Sequence, residues 1–239
     1  MMITGEAAGV RFVAVPPPAA GGRRLVVVWH LVGEPGTPEA MAEALPLAGV
    51  DAWRVYAALP AWGEGPDGLV DGYAPMVESA VAAMPELVEK ARAQLGCDDG
   101  PVDLVGGSAG GHVSLLTAAR GVVAVRRVAV VNPAVTARAV VEASIEIGAL
   151  DSYTWTDASH AAAEPLDVLA RAAELDVPLL VVRGEREYPA FRPVQAALCA
   201  AVPGSRLVEV PGLAHMLVPQ PDAPDVVGRV DAEVEAWLA

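Results

Sequence analysis

Six short runs of apolar, largely β-branched residues punctuate the chain, each bounded by glycine, proline or charge: residues 25–31 (LVVVWHL), 52–57, 102–105, 127–131, 178–183 and 206–210. Runs of this length and composition predict strands. A weaker pair of such signals precedes them around 10–15. Between the runs lie segments with helical spacing of apolar positions, at 38–47, 75–95, 109–120, 166–175, 190–201 and 222–238. Thr37-Pro38 and the Pro-Asp pairs at 221–225 mark helix starts. The strands show little period-2 alternation, so both of their faces must be covered. The pattern therefore predicts an α/β fold, a three-layer α/β/α sandwich around a mostly parallel sheet. Ligands of such sheets bind beyond the carboxyl ends of the strands, so reactive residues should fall just after strands.

One stretch, residues 134–165, breaks the alternation without a strand signal. A connection of that length inside a compact domain predicts a short lid or cap. With 239 residues and no linker or repeat, the expectation is one domain across 1–239.

Composition narrows the choice of partners. Apolar residues make up 54% of the chain, yet charges interrupt every apolar stretch before the ~20 residues of a membrane span. The formal charge of −14 and pI near 4.6 disfavour nucleic acid and anionic membrane surfaces. The start, MMITGEAAGVRF, lacks a basic segment followed by an apolar one, so a cytoplasmic location is expected. Cys97 and Cys199 are too few for a zinc site or a disulfide framework, and no cofactor or metal is expected.

The chemistry concentrates in Leu104-Val-Gly-Gly-Ser-Ala-Gly-Gly-His112. Gly106, Ser108 and Gly110 fit G-x-S-x-G between a predicted strand and a predicted helix, the setting of a nucleophile elbow. A serine lifted above a sheet needs a turn so tight that side chains at Gly106 and Gly110 would collide with backbone, while Gly107 and Gly111 let neighbouring chain pass closely. The helix start then aims free N–H groups at a developing oxyanion. Serine needs a base. Of His30, His112, His160 and His215, only His215 lies in a loop just after the last strand. His112 stands one helical turn beyond Ser108, where packing is its expected role, and His160 falls in the insertion. The base needs a carboxylate, and Glu185 and Glu187 both follow the run PLLVVR.

These segments resemble the α/β-hydrolase family from residue 25 to the end. GGSAGGH is similar to esterase elbows of that family, GEREYP resembles its acid loop and PGLAHM its histidine loop. The resemblance implies Ser108 as nucleophile, His215 as base and Glu187, rather than Glu185, as orienting acid. It also implies an oxyanion hole from the Ala109 amide and one amide of the loop after the first strong strand, Val32 before Leu31. Two departures stand out: glutamate where the family usually has aspartate, and His30-Leu31-Val32-Gly33 where many relatives have His-Gly.

Only eleven aromatic residues are present, and Trp62, Tyr153, Trp155 and Tyr188 lie in loops or the insertion near strand ends. Together they predict an apolar, aromatic-lined cleft for a small, largely uncharged substrate. The expected function is hydrolysis of an ester or thioester through an acyl-enzyme on Ser108. The alternatives are a cyclase, acyltransferase or elimination lyase of secondary metabolism on the same fold, and, with least support, a ligand-binding protein without activity.

Overall fold

The structure is a computed structural model and describes residues 2–19 and 21–239. Eight strands form a single sheet: β1 (Ile3–Ala7), β2 (Val10–Val15), β3 (Leu25–Trp29), β4 (Trp53–Ala57), β5 (Val102–Gly107), β6 (Val125–Val131), β7 (Leu179–Arg186) and β8 (Arg206–Ala214). Their order is β1-β2-β4-β3-β5-β6-β7-β8. The six strands from β3 to β8 run parallel, and β2 pairs antiparallel with both β1 and β4. Seven α-helices accompany them among the described residues: α1 (Pro38–Ala44), α2 (Ala74–Leu95), α3 (Ser108–Ala119), α4 (Ala137–Glu146), α5 (Asp157–Ala163), α6 (Phe191–Ala201) and α7 (Val226–Leu238).

The apolar runs form the middle layer because both faces of their strands are covered. Along β3, Leu25, Val27 and Trp29 pack with Leu87 of α2 and Val113 of α3, while Val26 and Val28 pack with Met41 of α1 and Val234 of α7. Every residue of β3 and β5 is buried, which explains the missing alternation. Because β3 to β8 are parallel, the loops after them gather at one edge of the sheet.

Two differences from the sequence reading have physical causes. Residues 166–175 form two 3-10 turns, Glu164–Leu166 and Ala172–Glu174, and not a helix. The Asp167 carboxylate accepts the Ala170 N–H at 2.9 Å and Val168 N–H donates to Val135 O, so local bonds and the neighbouring chain replace the helical ladder. The edge strand β1 carried no signal, since ITGEA alternates half-buried and exposed positions and holds only one large apolar residue. It turns into β2 through Ala8 and Gly9, both at positive φ (51° and 74°), a two-residue hairpin without the usual Asn-Gly marker.

Residues 134–165 contain no strand but two helices, each started by a threonine. Thr136 caps α4 by accepting Ala139 N–H, and Thr156 forms a reciprocal capping box with Ser159 at α5.

Candidate active site

Strand β5 passes directly into α3, and Ser108 is the hinge. Its φ of 48° is left-handed, a conformation that L residues other than glycine, asparagine and aspartate rarely adopt. The surroundings enforce it. A Cβ on Gly106 would lie 2.2 Å from Gly110 O, and one on Gly110 would lie 2.4 Å from His30 O. The close approach is therefore borne by glycines, and the strained dihedral by the serine itself. Ser108 O accepts the Ala134 N–H, which fixes the turn from the β6 side. Helix α3 has no side-chain cap, and its first amides, Ala109 among them, have no partner within the helix.

His215 follows β8 and Glu187 follows β7. His215 Nε2 is 3.0 Å from Ser108 Oγ, and His215 Nδ1 is 2.7 Å from Glu187 Oε1. With Glu187 accepting from Nδ1–H, the Nε2 lone pair faces the serine hydroxyl. All three residues are nearly enclosed, at 7%, 5% and 4% exposure for Ser108, His215 and Glu187. Glu187 Oε1 also accepts the Tyr188 N–H, and Gln195 Nε2 stands 3.4 Å from Oε2. The Tyr188 ring stacks on the imidazole at 4.3 Å, with Phe191 at 5.3 Å on centroids. Glu185 is elsewhere: its carboxylate accepts Gly212 N–H at the surface, 2.8 Å away.

Asn132, at the end of β6, ties these loops together. Its Nδ2 donates to Ala214 O (2.8 Å) and His215 O (3.0 Å), and its Oδ1 accepts Gly184 N–H (2.7 Å). One buried amide thereby spans the ends of three strands, and its own φ of 46° is also left-handed. Its sequence signal is a polar residue in VVNP directly after a strand, where the strand-end criterion places functional side chains.

In the loop after β3 the amides of Leu31 and Val32 differ. Leu31 N–H donates to Pro35 O at 3.1 Å, so that amide is occupied. Leu31 O accepts from His30 Nδ1 at 2.6 Å, and His30 Nε2 accepts Leu59 N–H at 3.0 Å. Across a trans peptide the C=O and the next N–H point opposite ways, so this bond turns the Val32 N–H away from His30. Both His30 nitrogens are bonded in a neutral tautomer, and burial lowers its pKa.

Ser108, Ala109, Val32, Tyr188, His215 and Trp62 share the lining of a cavity of about 220 Å³. Helix α4 supplies its roof through Val140, Ala143 and Ser144, with Ile147 just beyond, one stripe at i, i+3, i+4 and i+7. That stripe faces the cavity. Tyr153 lines an adjoining chamber and not this one. Trp155 lines neither: it lies between the Arg138 guanidinium, 4.4 Å from its ring centre, and the His160 ring stacked at 5.1 Å. It clasps α4 to α5, which removes it from the substrate-contacting set. His112 is fully buried and bonded to Tyr73 and Leu166, not to Ser108. Larger hollows beside Cys97 (about 480 Å³) and Arg24 (about 600 Å³) lie near the amino ends of the strands, away from this chemistry.

Among the described residues no group of three or more histidine, cysteine, aspartate or glutamate side chains could hold a metal ion. Among the same residues no helix is long and apolar enough to cross a membrane.

The sequence matches no protein-family model and no curated protein. The fold matches many solved structures. TT1662 from Thermus thermophilus superposes with a TM-score of 0.71 at 20% identity, covering 100% of this chain and 98% of that one. An esterase from Pyrobaculum calidifontis gives 0.65 at 19% identity, over 99% and 84% of the chains. Est1E from Butyrivibrio proteoclasticus, in a structure with ferulic acid bound, gives 0.67 at 16% identity, over 99% and 97%. The chain has the α/β-hydrolase fold.

Proposed function

We propose that the protein is a serine hydrolase that cleaves a small, largely uncharged ester through an acyl-enzyme on Ser108. The observation that carries this reading is the continuous chain of short contacts from Ser108 Oγ through His215 to Glu187, at 3.0 and 2.7 Å. His215 Nε2 takes the Oγ proton as Oγ attacks the ester carbonyl, and Glu187 stabilises the imidazolium that forms. The carbonyl oxygen becomes an oxyanion held by the amides of Ala109 and Val32. Collapse breaks the bond to the leaving oxygen, which receives the proton from His215 and departs as the alcohol. Water then attacks the acyl-enzyme while His215 takes its proton, and Ser108 leaves with that proton restored.

Three lines of support bear on the substrate. Val32, Trp62 and Ile147 are among the few large apolar side chains that stand exposed, and all three rim the Ser108 cavity. No lysine or arginine lines that cavity to pair with an anion. Esterases stand among the proteins of like fold. A thioester fits the same chemistry, since nothing in the mechanism requires the leaving atom to be oxygen. Residues 134–165, which roof the cavity through α4, serve as the lid.

The test is turnover of p-nitrophenyl acetate by wild type and Ser108→Ala. The expected result is a loss of kcat of at least ~10⁴-fold with fold and stability retained. Equal turnover by the two proteins would remove the reading.

A further inference from the structure

Beyond the Ser108 cavity lies a second chamber of about 230 Å³ between the loop after β4 and α4. The two adjoin and share Trp62, Tyr73, Val140, Ser144 and Ala149 in their linings. Leu69, Val141, Leu150 and Tyr153 line the second chamber alone.

We propose that this chamber is the acyl subsite, and that it takes uncharged, apolar acyl groups of about six to eight carbons, straight or ending in a phenyl ring. The assignment rests on the serine esterase reading above. The side of the serine follows from proton transfer. His215 must hand its proton to the leaving oxygen, so the leaving group lies on the imidazole side, among Tyr188, Phe191 and Met216. The second chamber shares none of those three residues, and it adjoins the Ser108 cavity at Trp62 and Tyr73. That leaves it to the acyl chain.

Its walls are fixed before any ligand arrives. The indole of Trp62 rests on the bare backbone of Gly72, where a Cβ would come 2.1 Å from Nε1, and its ring meets Tyr73 at 6.0 Å between centroids. His112 Nε2–H donates to Leu166 O at 2.6 Å, which leaves Nδ1 to accept the Tyr73 hydroxyl at 2.7 Å. On the far wall the Tyr153 hydroxyl donates to the Asp67 carboxylate at 2.9 Å, and Asp67 also accepts the amides of Leu69 and Val70. Both tyrosine hydroxyls are engaged by the protein, so their rings offer carbon to the chamber. Asp67 thereby joins the loop segment to the insertion, and the chamber needs no closing motion to exist.

Chemistry and size follow. No charged side chain and no histidine lines the chamber, so an acyl tail ending in a carboxylate would find no partner there. A cavity of ~150 Å³ admits benzene, so this one has room for about six to eight carbons.

The experiment is a series of p-nitrophenyl esters from acetyl to dodecanoyl, with 3-phenylpropanoyl, on wild type, Val141→Phe and Leu150→Trp. Each methylene buried in an apolar pocket is worth roughly threefold to fourfold. The kcat/KM of wild type should therefore rise at least ~30-fold from acetyl to octanoyl and rise no further beyond that length. Filling the chamber should cut the octanoyl-to-acetyl ratio about tenfold or more in both variants. Binding of octanamide, followed by calorimetry, reads the chamber without turnover and should be lost in both variants. A flat chain-length profile in an enzyme that Ser108→Ala silences would overturn the subsite while leaving the esterase reading intact. Octanamide binding that the variants abolish, in a protein that turns over no ester, would remove the esterase reading and keep the chamber as an apolar-chain site. Octanamide that fails to bind wild type counts against the chamber in either case.

Discussion

The floor and the roof of the cleft are built in opposite ways. The floor consists of strand ends: Ser108, Glu187 and His215 each directly follow a strand of one parallel sheet, and all three are buried. Their positions are set by ladder register, by glycines that admit close backbone contact, and by Asn132 spanning three strands. The roof consists of residues 62–73 and the insertion, with Trp62, Ile145 and Ile147 exposed. Few polar contacts hold it, chiefly Tyr153 to Asp67 and Tyr73 to His112. A rigid floor suits chemistry that must hold hydrogen-bond geometry, while the shape of the roof selects the acyl group it covers. Substitutions in the floor should accordingly lower kcat, and those in the roof should alter KM and selectivity.

The largest effects belong to the floor. His215→Ala should lower kcat about 10⁴-fold, and Glu187→Gln about 10²- to 10⁴-fold, at nearly constant KM. Glu185→Gln, which loses only the bond to Gly212, should stay within about threefold of wild type. Steady-state kinetics on one ester decides this, and the reverse ranking of the two glutamates would move the acid to Glu185. Asn132→Ala removes three hydrogen bonds, two of them buried, and should cost about 2–4 kcal/mol of stability. It should also lower kcat roughly 10- to 100-fold, since the His215 and Glu187 loops lose their shared anchor. An unchanged urea midpoint would refute that role.

His112 links the floor to the roof, and its titration gives a pH test. Burial lowers its pKa to about 4 from 6.5. Between those values the unfolded chain binds a proton that the folded chain does not, so stability rises with pH there and is lost as pH falls. The full difference is on the order of 3 kcal/mol. His112→Gln should therefore show a shallower loss of stability between pH 7 and pH 4.5 than wild type in urea titrations. Equal slopes would contradict the buried neutral state. The smallest effect is expected at Trp155→Ala, which unclasps α4 from α5 for about 1 kcal/mol, with KM moving more than kcat.

The same contrast explains what the sequence could and could not reveal. The floor was legible because sheet ends leave local marks: the GGSAGG turn, the apolar runs that place it, and a carboxylate and a histidine each just beyond a strand. The difference between the Leu31 and Val32 amides is visible only in coordinates, because it turns on which of them Pro35 occupies. The roof was legible only as an interruption. Its stripe on α4 has the spacing of a core face, and only the fold shows that a cavity lies opposite. The π-helical turn at Gly68–Tyr73, capped by Asp67, follows from tertiary contacts with Trp62 and Tyr153 rather than from propensity. Trp155 shows the converse error. An aromatic residue in an insertion predicts a lining residue, yet its ring is covered by Arg138 and His160.

The central claim is that Ser108 is a nucleophile activated by His215. Intact-mass analysis after brief exposure to a fluorophosphonate tests it most directly. Wild type should carry one adduct per chain, mapped to Ser108 by peptide digestion, and Ser108→Ala none, with labelling of His215→Ala slowed by at least ~10³-fold. An adduct elsewhere, or folded wild type that stays unlabelled, would contradict it.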